Sequence, residues 1–274
     1  MKRKGACVAF ASFEFVHRGH CKIIERTIEL AKEQGLEAVV LSCPCEGEVY
    51  TTEKEKEYLM KELGVQKFIS YEGRKKVDEL LLYLEEELGA QVLVLEEEQE
   101  GFLELKQKAE KLGMQVEVIS GICYQDRRIS SEWVKEAFEA NDFELVTELC
   151  GHPFIMIGDV VHGKKLGRTV GMPTTNLHIY KTKKRPNSGV YATKLVLDGQ
   201  KHLAATNIGT RPTVDDFDYI TIESFILDFN KQIYGEICVL EVHKYLRGIQ
   251  KFEGLEQVQA QVKKDVEEIK QFFA

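Results

Sequence analysis

Between residues 163 and 176 the chain gathers groups that can hold a phosphate and a hard metal ion. Gly163, Gly167 and Gly171 recur every fourth residue, Arg168 stands among them, and Pro173 leads into Thr174 and Asn176 in the run LGRTVGMPTTN. Glycines let the backbone approach a ligand closely, Arg168 brings a fixed positive charge, and Pro173 keeps the chain extended. In an extended segment residues two apart point the same way, so the Thr174 hydroxyl and the Asn176 amide share a face. Two hard oxygens on one face are what a phosphate-bound magnesium accepts, with water and phosphate oxygens completing its octahedron. Residue types alone leave a plainer reading open, a Gly/Pro turn closed by an Asn cap.

Three other constellations compete for attention. The run GDVVHGKK, residues 158 to 165, matches the phosphate-binding G-x-x-x-x-G-K pattern until its last position, where Lys165 replaces the hydroxyl that must meet magnesium. Its context also fails, because strands rather than a helix follow, so a hairpin turn at His162 and Gly163 is the better reading. In FASFEFVHRGH, His17 and His20 open a helix directly after a strand, where backbone amides and the helix dipole favour phosphate. Cys43 and Cys45 form a CPC run with no second cysteine or histidine pair to complete a metal set.

Composition narrows the chemistry. The 274 residues carry a net charge of -8, which argues against a general nucleic-acid binder. The sign is uneven: residues 1–150 sum to -11 and residues 151–274 to +3. Lys164, Lys165, Arg168, Lys181, Lys183, Lys184 and Arg185 crowd the glycine-rich stretch against the single acid Asp159, which suits a small phosphate-bearing ligand. No apolar run approaches a membrane span, and no export signal is convincing at the start. Seven cysteines without paired spacing fit a reducing cytoplasm.

The elements that must position these groups change character near residue 150. Before it, short apolar runs such as ACVAFAS, EAVVLSC and QVLVLE alternate with helical stretches ending at Gly35, Gly64 and Gly89. That alternation predicts a Rossmann-like, mostly parallel sheet with helices on both faces over residues 1–150. Beyond Gly151, FIMIGDVVH, GVYATKLVLDG, KHLAATNIG, YITIESFILDF and EICVLEVHKYL read as strands of a closed or nearly closed β-barrel, capped by a helix from about Leu255 to Phe273. The fold class is therefore α/β plus β. The acidic run Glu96, Glu97 and Glu98 reads as a solvated loop after a strand.

The motifs GDVVHGKKLGRTVGMPTTNL, GVYA, NIGTRPTV, IESFILDF, IYGE and YLRGIQKFEGLEQVQAQVKKD, in this order, resemble riboflavin kinase across residues 151–274. The resemblance implies that Gly163, Arg168, Thr174, Ile226, Asp228 and Tyr234 contact ATP, and that Thr174 and Asn176 hold a magnesium or zinc ion with the phosphates. It makes Glu223 the base for the ribityl hydroxyl. It places flavin contacts on Arg247 and Phe252, with Gln250 where the family often has lysine. Taken alone, Glu223 would be an ordinary surface residue of a strand.

The first half is similar to the nucleotidylyltransferase domain of bacterial bifunctional FAD synthetases, whose His-x-Gly-His signature falls on His17 and His20. In that family the histidines stabilise charge on the α-phosphate as ATP adenylylates FMN. Ser130, Ser131 and Lys135, in SSEWVK, match the family's later phosphate-facing segment, but Glu132 replaces a hydroxyl and Lys135 an arginine fork. Phe15 stands where the family has glycine, and VLEEEQEGF lacks the aromatic flavin loop. These departures imply a kinase carried on a degenerate adenylyltransferase scaffold. The alternatives are a fully bifunctional enzyme making FMN and FAD, and a non-catalytic flavin-binding regulator. The expected substrates are ATP and riboflavin, with no nucleic acid and no membrane as partner.

Overall fold

The computed structural model describes residues 5–44, 47–72, 76–97, 101–162, 174–211 and 219–274. Gly163 and Arg168, together with the glycine repeat between them and Pro173, lie outside the described residues. The chain divides into two compact units, Met1–Val134 and Lys135–Ala274, and the division falls inside helix α5 (Ser131–Glu139).

The first unit is a five-stranded sheet of β1 (Ala6–Ala11), β2 (Glu37–Ser42), β3 (Lys67–Ser70), β4 (Ala90–Glu96) and β5 (Gln115–Ile119), all parallel, in the order β3-β2-β1-β4-β5. Helices α1 (Arg18–Gln34), α2 (Glu53–Glu62), α3 (Val77–Leu82) and α4 (Phe102–Lys111) supply the crossovers that parallel pairing demands. Val8, Val39, Leu41, Leu93 and Leu95 are fully buried, as near-continuous apolar strands of such a sheet require. Gly35 takes the left-handed conformation, φ 67°, and ends α1 as the sequence predicts. Strand order reverses between β1 and β4, and the crevice outside their carboxyl ends, where α1 begins, is where open α/β sheets bind ligands. Two features went unforeseen: α3 runs on through a wider π-type turn over Tyr83–Glu87, and β6 (Cys123–Tyr124) pairs with β7 (Arg127–Arg128) as a small hairpin.

In the second unit, β8 (Phe154–Val161), β9 (Thr174–Ile179), β10 (Gly189–Leu197), β11 (Gln200–Arg211), β12 (Tyr219–Ile226) and β13 (Ile237–Arg247) close a barrel in the order β10-β11-β12-β9-β8-β13. Helix α6 (Phe143–Cys150) precedes it and α7 (Leu255–Phe272) follows. The sequence marks five of the six strands; β9 hides in the motif itself, since TTNLHI carries too few apolar residues to read as a strand. Alternate residues line the interior: Leu195, Ile208, Ile222, Leu240 and Val242 are no more than 1% exposed. The opposite, outer face is partly covered by α7, whose Val266 and Ile269 pack with Ala192, Ala205, Phe225 and Leu227.

The first glycine of the G-x-x-x-x-G-K match has a packing role. Gly158 lies within β8, and a Cβ there would stand 2.3 Å from the His178 carbonyl oxygen of β9. Strands β8 and β9 pair antiparallel with Val161 opposite Asn176, whereas a tight turn at His162 and Gly163 would put Val161 opposite Lys164, so that turn does not join the two strands; Gly163 itself lies outside the described residues.

The barrel interior also buries three hydroxyls as a chain. Thr193 Oγ1 donates to the Ala204 carbonyl at 3.0 Å, Thr206 Oγ1 lies 2.7 Å from Thr193 Oγ1, and Ser224 Oγ lies 2.8 Å from Thr206 Oγ1. Because Thr193 spends its proton on the carbonyl, the consistent direction runs Ser224 to Thr206 to Thr193. Replacing Thr206 with valine should leave the Ser224 hydroxyl without its acceptor at little change in volume, costing about 1–3 kcal/mol in denaturant unfolding, because an unmet buried hydroxyl carries its desolvation penalty. A variant as stable as the wild type would mean that the chain contributes nothing to the barrel.

Candidate functional site

Barrel register brings together residues that the sequence keeps apart. Glu223 of β12 stands directly opposite Asn176 of β9, and Thr174 stands opposite Phe225. Directly opposed residues share a face, with Cβ atoms about 4.5–5.5 Å apart. Thr174, Asn176 and Glu223 therefore sit together on the outer face, all half-buried. Behind them, on the inner face, Thr175 Oγ1 donates to the Ser224 carbonyl at 3.2 Å, tying the two strands. The shared face of Thr174 and Asn176 is as extended geometry predicts.

Of the other kinase-side positions, Arg247 stands at the end of this row and Ile226, on the inner face with Ser224, is not part of it. Ile226 is buried and Tyr234 half-buried, with the His162 ring stacked on the Tyr234 ring at 3.9 Å between centroids. Asp228 takes a left-handed φ of 53° and its carboxylate is exposed near Lys270. Arg247 is held by α7: its Nε and Nη2 donate to the two carboxylate oxygens of Asp265 at 2.9 and 2.8 Å, and its Nη1 donates to the Gly248 carbonyl. Gln261 donates to the same buried carboxylate at 2.9 Å. Phe252 is half-buried and Gln250 exposed. Sequence reasoning missed Asp265 and His162; the signal for Asp265 was an acid on the apolar stripe of α7, three residues after Val262 and four before Ile269.

Thr174 and Asn176 offer neutral, hard oxygens, which suits a magnesium ion held chiefly by phosphate oxygens. Among the described residues no group of three or more His, Cys, Asp and Glu gathers as a metal site.

In the first unit, the loop from β1 to α1 is tightly wound. Phe13, Phe15 and Val16 all take left-handed φ values, 53°, 60° and 49°. Phe15 thus keeps the backbone that glycine adopts freely, at a cost. Its ring is turned inward, 3% exposed and 4.6 Å from the Tyr50 ring, and its N–H donates to Thr51 Oγ1 at 2.8 Å. His17 caps α1, its Nδ1 accepting from the His20 N–H at 3.4 Å, and the two imidazoles stack at 3.7 Å. Both are buried, at 2% and 5% exposure. Burial first, then His17 and Lys56, hold the His20 pKa well below the ordinary imidazole value. Lys56 is itself fully buried, with Glu53 at 2.7 Å, Ser42 Oγ at 3.2 Å and Glu14 at 4.0 Å.

Ser131 Oγ donates to the Glu14 carbonyl at 3.5 Å, so it meets the histidine loop, whereas Ser130 Oγ serves as a cap, accepting from the Trp133 N–H at 3.2 Å. Lys135 and Glu132 are exposed, and Lys135 belongs to the second unit. The acidic run departs from expectation. Glu96 is not a solvated loop residue: it ends β4, half-buried, with Arg128 Nη2 at 2.7 Å from its carboxylate. An added Cβ on Gly19 would lie 3.8 Å from the same carboxylate, which puts an acid beside the first turn of α1.

A barrel of this kind, with a Thr-x-Asn strand opposite a glutamate, defines a class. The family model described as riboflavin kinase matches residues 150–273. Over nearly its whole length the chain is similar to proteins named bifunctional riboflavin kinase/FMN adenylyltransferase. That of Pseudomonas fluorescens is 31% identical, covering 97% of this chain and 92% of its own length. Those of Listeria monocytogenes and Bacillus subtilis are 29% and 28% identical, each with the same coverage. The chain belongs to the bifunctional riboflavin kinase/FMN adenylyltransferase family. A solved structure described as a macrolide-efflux protein from Streptococcus pneumoniae covers 96% of this chain and 93% of its own, with a TM-score of 0.79 at 22% identity, which shows a shared fold. No helix among the described residues is long and apolar enough to cross a membrane.

The buried histidine makes a pH prediction. With its folded-state pKa depressed, His20 binds no proton where the unfolded chain does, so stability falls as pH drops below the ordinary imidazole value of 6.5. One such proton gives a slope of at most about 1.4 kcal/mol per pH unit. Thermal midpoints of the wild type should fall between pH 7 and pH 5.5, and His20→Asn should flatten the fall. An unchanged slope in the variant would show that His20 charges as freely when folded as when unfolded.

Proposed function

We propose that this chain is an ATP-dependent riboflavin kinase and that residues 151–274 carry the reaction. The observation that carries this reading is the direct opposition of Asn176 and Glu223 on one outer face of the barrel, with Thr174 beside them. In the reaction the ribityl 5′-hydroxyl attacks the ATP γ-phosphorus, the bond from that phosphorus to the bridging oxygen breaks, and ADP leaves. Glu223 takes the hydroxyl proton as the new O–P bond forms. Thr174 and Asn176 are the residues that would hold the divalent ion. When bound, it neutralises phosphate charge. Gly163 and Arg168 would meet the nucleotide phosphates, and Ile226, Asp228 and Tyr234 the rest of ATP. Arg247, Phe252 and Gln250 would line the flavin side. For Arg247 the Asp265 pair fixes the plane of the guanidinium, so its contribution is a pre-set surface more than a free charge.

We infer further that adenylyl transfer by the first unit is absent or far slower. Phosphate entering beside the first turn of α1 would have to draw Arg128 off the Glu96 carboxylate, and His17 and His20 are buried in a stack. Lys135 cannot reproduce an arginine fork. The second reading, a bifunctional enzyme, is favoured by one feature: the two histidines stand at the start of α1, at the crevice where strand order reverses.

Incubation of purified protein with riboflavin, ATP and magnesium, followed by chromatography of the flavins, should yield FMN with little or no FAD. No FMN under any divalent ion would end the kinase reading; abundant FAD that vanishes in His20→Ala would establish the bifunctional one. Glu223→Gln should lower kcat by roughly 10²- to 10⁴-fold with riboflavin affinity little changed, the usual span for loss of a general base. Unchanged turnover would return Glu223 to the ordinary strand residues. Thr174→Ala and Asn176→Ala should weaken Mg-ATP binding in calorimetry while the barrel stays folded; normal affinity in both would leave the segment a turn.

A further inference from the structure

The row that contains Asn176 and Glu223 continues across the barrel. Glu223 is opposite Asn176 on one side and opposite Asn207 on the other; Asn207 is opposite Val190, and Val190 is opposite Arg247. The base is therefore flanked by two amides, one toward the metal-binding strand and one toward Arg247. Asn176, Glu223 and Asn207 are all half-buried, whereas Ala205 and Ala192, two residues along on the same face, lie under Ile269 of α7. Asn176, Glu223 and Asn207 thus form a half-buried ledge beside the helix, with the buried Val190 between Asn207 and Arg247.

Asparagine is a poor strand residue, and a purely structural role would be filled better by a β-branched side chain. Its value on this ledge is that one amide both donates and accepts. Arg247 cannot offer the same service, because a guanidinium has no acceptor and three of its five N–H groups are spent on Asp265 and the Gly248 carbonyl. Between Glu223 and Arg247 the only polar side chain in the row is Asn207, since Val190 is apolar. A flavin acceptor that presents its terminal hydroxyl to Glu223 and its ring toward Arg247 must run its remaining side-chain hydroxyls along this interval.

We propose that Asn207 binds the hydroxylated side chain of the flavin acceptor and so selects a flavin carrying a polyol over one without it. This rests on the riboflavin kinase reading of the site. The test compares binding of riboflavin with that of lumiflavin, which has a methyl group in place of the ribityl chain, by quenching of flavin fluorescence. In Asn207→Ala, riboflavin affinity should fall about five- to fiftyfold, the loss expected when hydrogen bonds to a partly desolvated partner go unmet. Lumiflavin affinity and the KM for ATP should stay within about twofold, since neither ligand reaches the lost amide. Asn207→Ser, which keeps a donor and acceptor, should recover part of the loss, and it serves as the test variant should the alanine form not fold. Equal losses for riboflavin and lumiflavin, or no loss for either, would overturn the assignment. A wild-type protein that binds no riboflavin would overturn the parent reading first, and the two failures are thus distinguishable.

Discussion

Closure of the six-stranded barrel in one register is the constraint on which the site depends. A slip of one residue between β9 and β12 would carry Asn176 to the other face and leave Glu223 opposite Thr175 or Leu177. The bond from Thr175 to the Ser224 carbonyl opposes such a slip directly, and the hydroxyl chain Ser224–Thr206–Thr193 holds β12 in register with β11 and β10 beyond it. Ser224 adjoins Glu223, Thr206 adjoins Asn207, and Thr175, bonded to the Ser224 carbonyl, adjoins Asn176. The polar interior thus does for register what an all-apolar interior could not, since apolar contacts tolerate sliding and a hydrogen-bonded chain does not.

On the outer face the second control is α7. Its Ile269 and Val266 cover one row of the barrel, and its Asp265 holds Arg247 in a two-point pair. The pair is largely buried, so its value lies less in net stability than in setting one orientation for a long, otherwise mobile side chain. The ledge between helix and strand is therefore built from both: strands fix the spacing of Asn176, Glu223 and Asn207, and the helix fixes where the row ends.

How much of this was legible in the sequence depended on what set each feature. Apolar periodicity made the parallel sheet, five barrel strands and α7 readable, because burial of those residues decides the elements. Strand β9 was not readable as such, since its residues serve the site and the barrel together and so break the alternation. The approach of Asn176 to Glu223 could be reached from residue types only through resemblance, because closure, not local pattern, sets it. Glu96 misled for a similar reason: a run of three acids looks solvated until Arg128, in a hairpin too short to register, is folded beside it.

The same contrast separates the two units. In the second, polar residues that break the strand pattern converge on one ledge, and the interior supports them. In the first, the polar residues near the crevice pair with one another: Lys56 with Glu53, Arg128 with Glu96, His17 with His20. Separating an ion pair such as Lys56 with Glu53 leaves an uncompensated charge, so these pairs would resist reorganisation around a triphosphate, and the histidines are held in their own stack. The left-handed backbone at Phe15 belongs to this picture. A glycine there would hold the loop without strain and leave space, whereas Phe15 fills the space against Tyr50 and ties the loop to the sheet's own core. On the reading proposed above, this packing is what would keep a nucleotide phosphate from the loop.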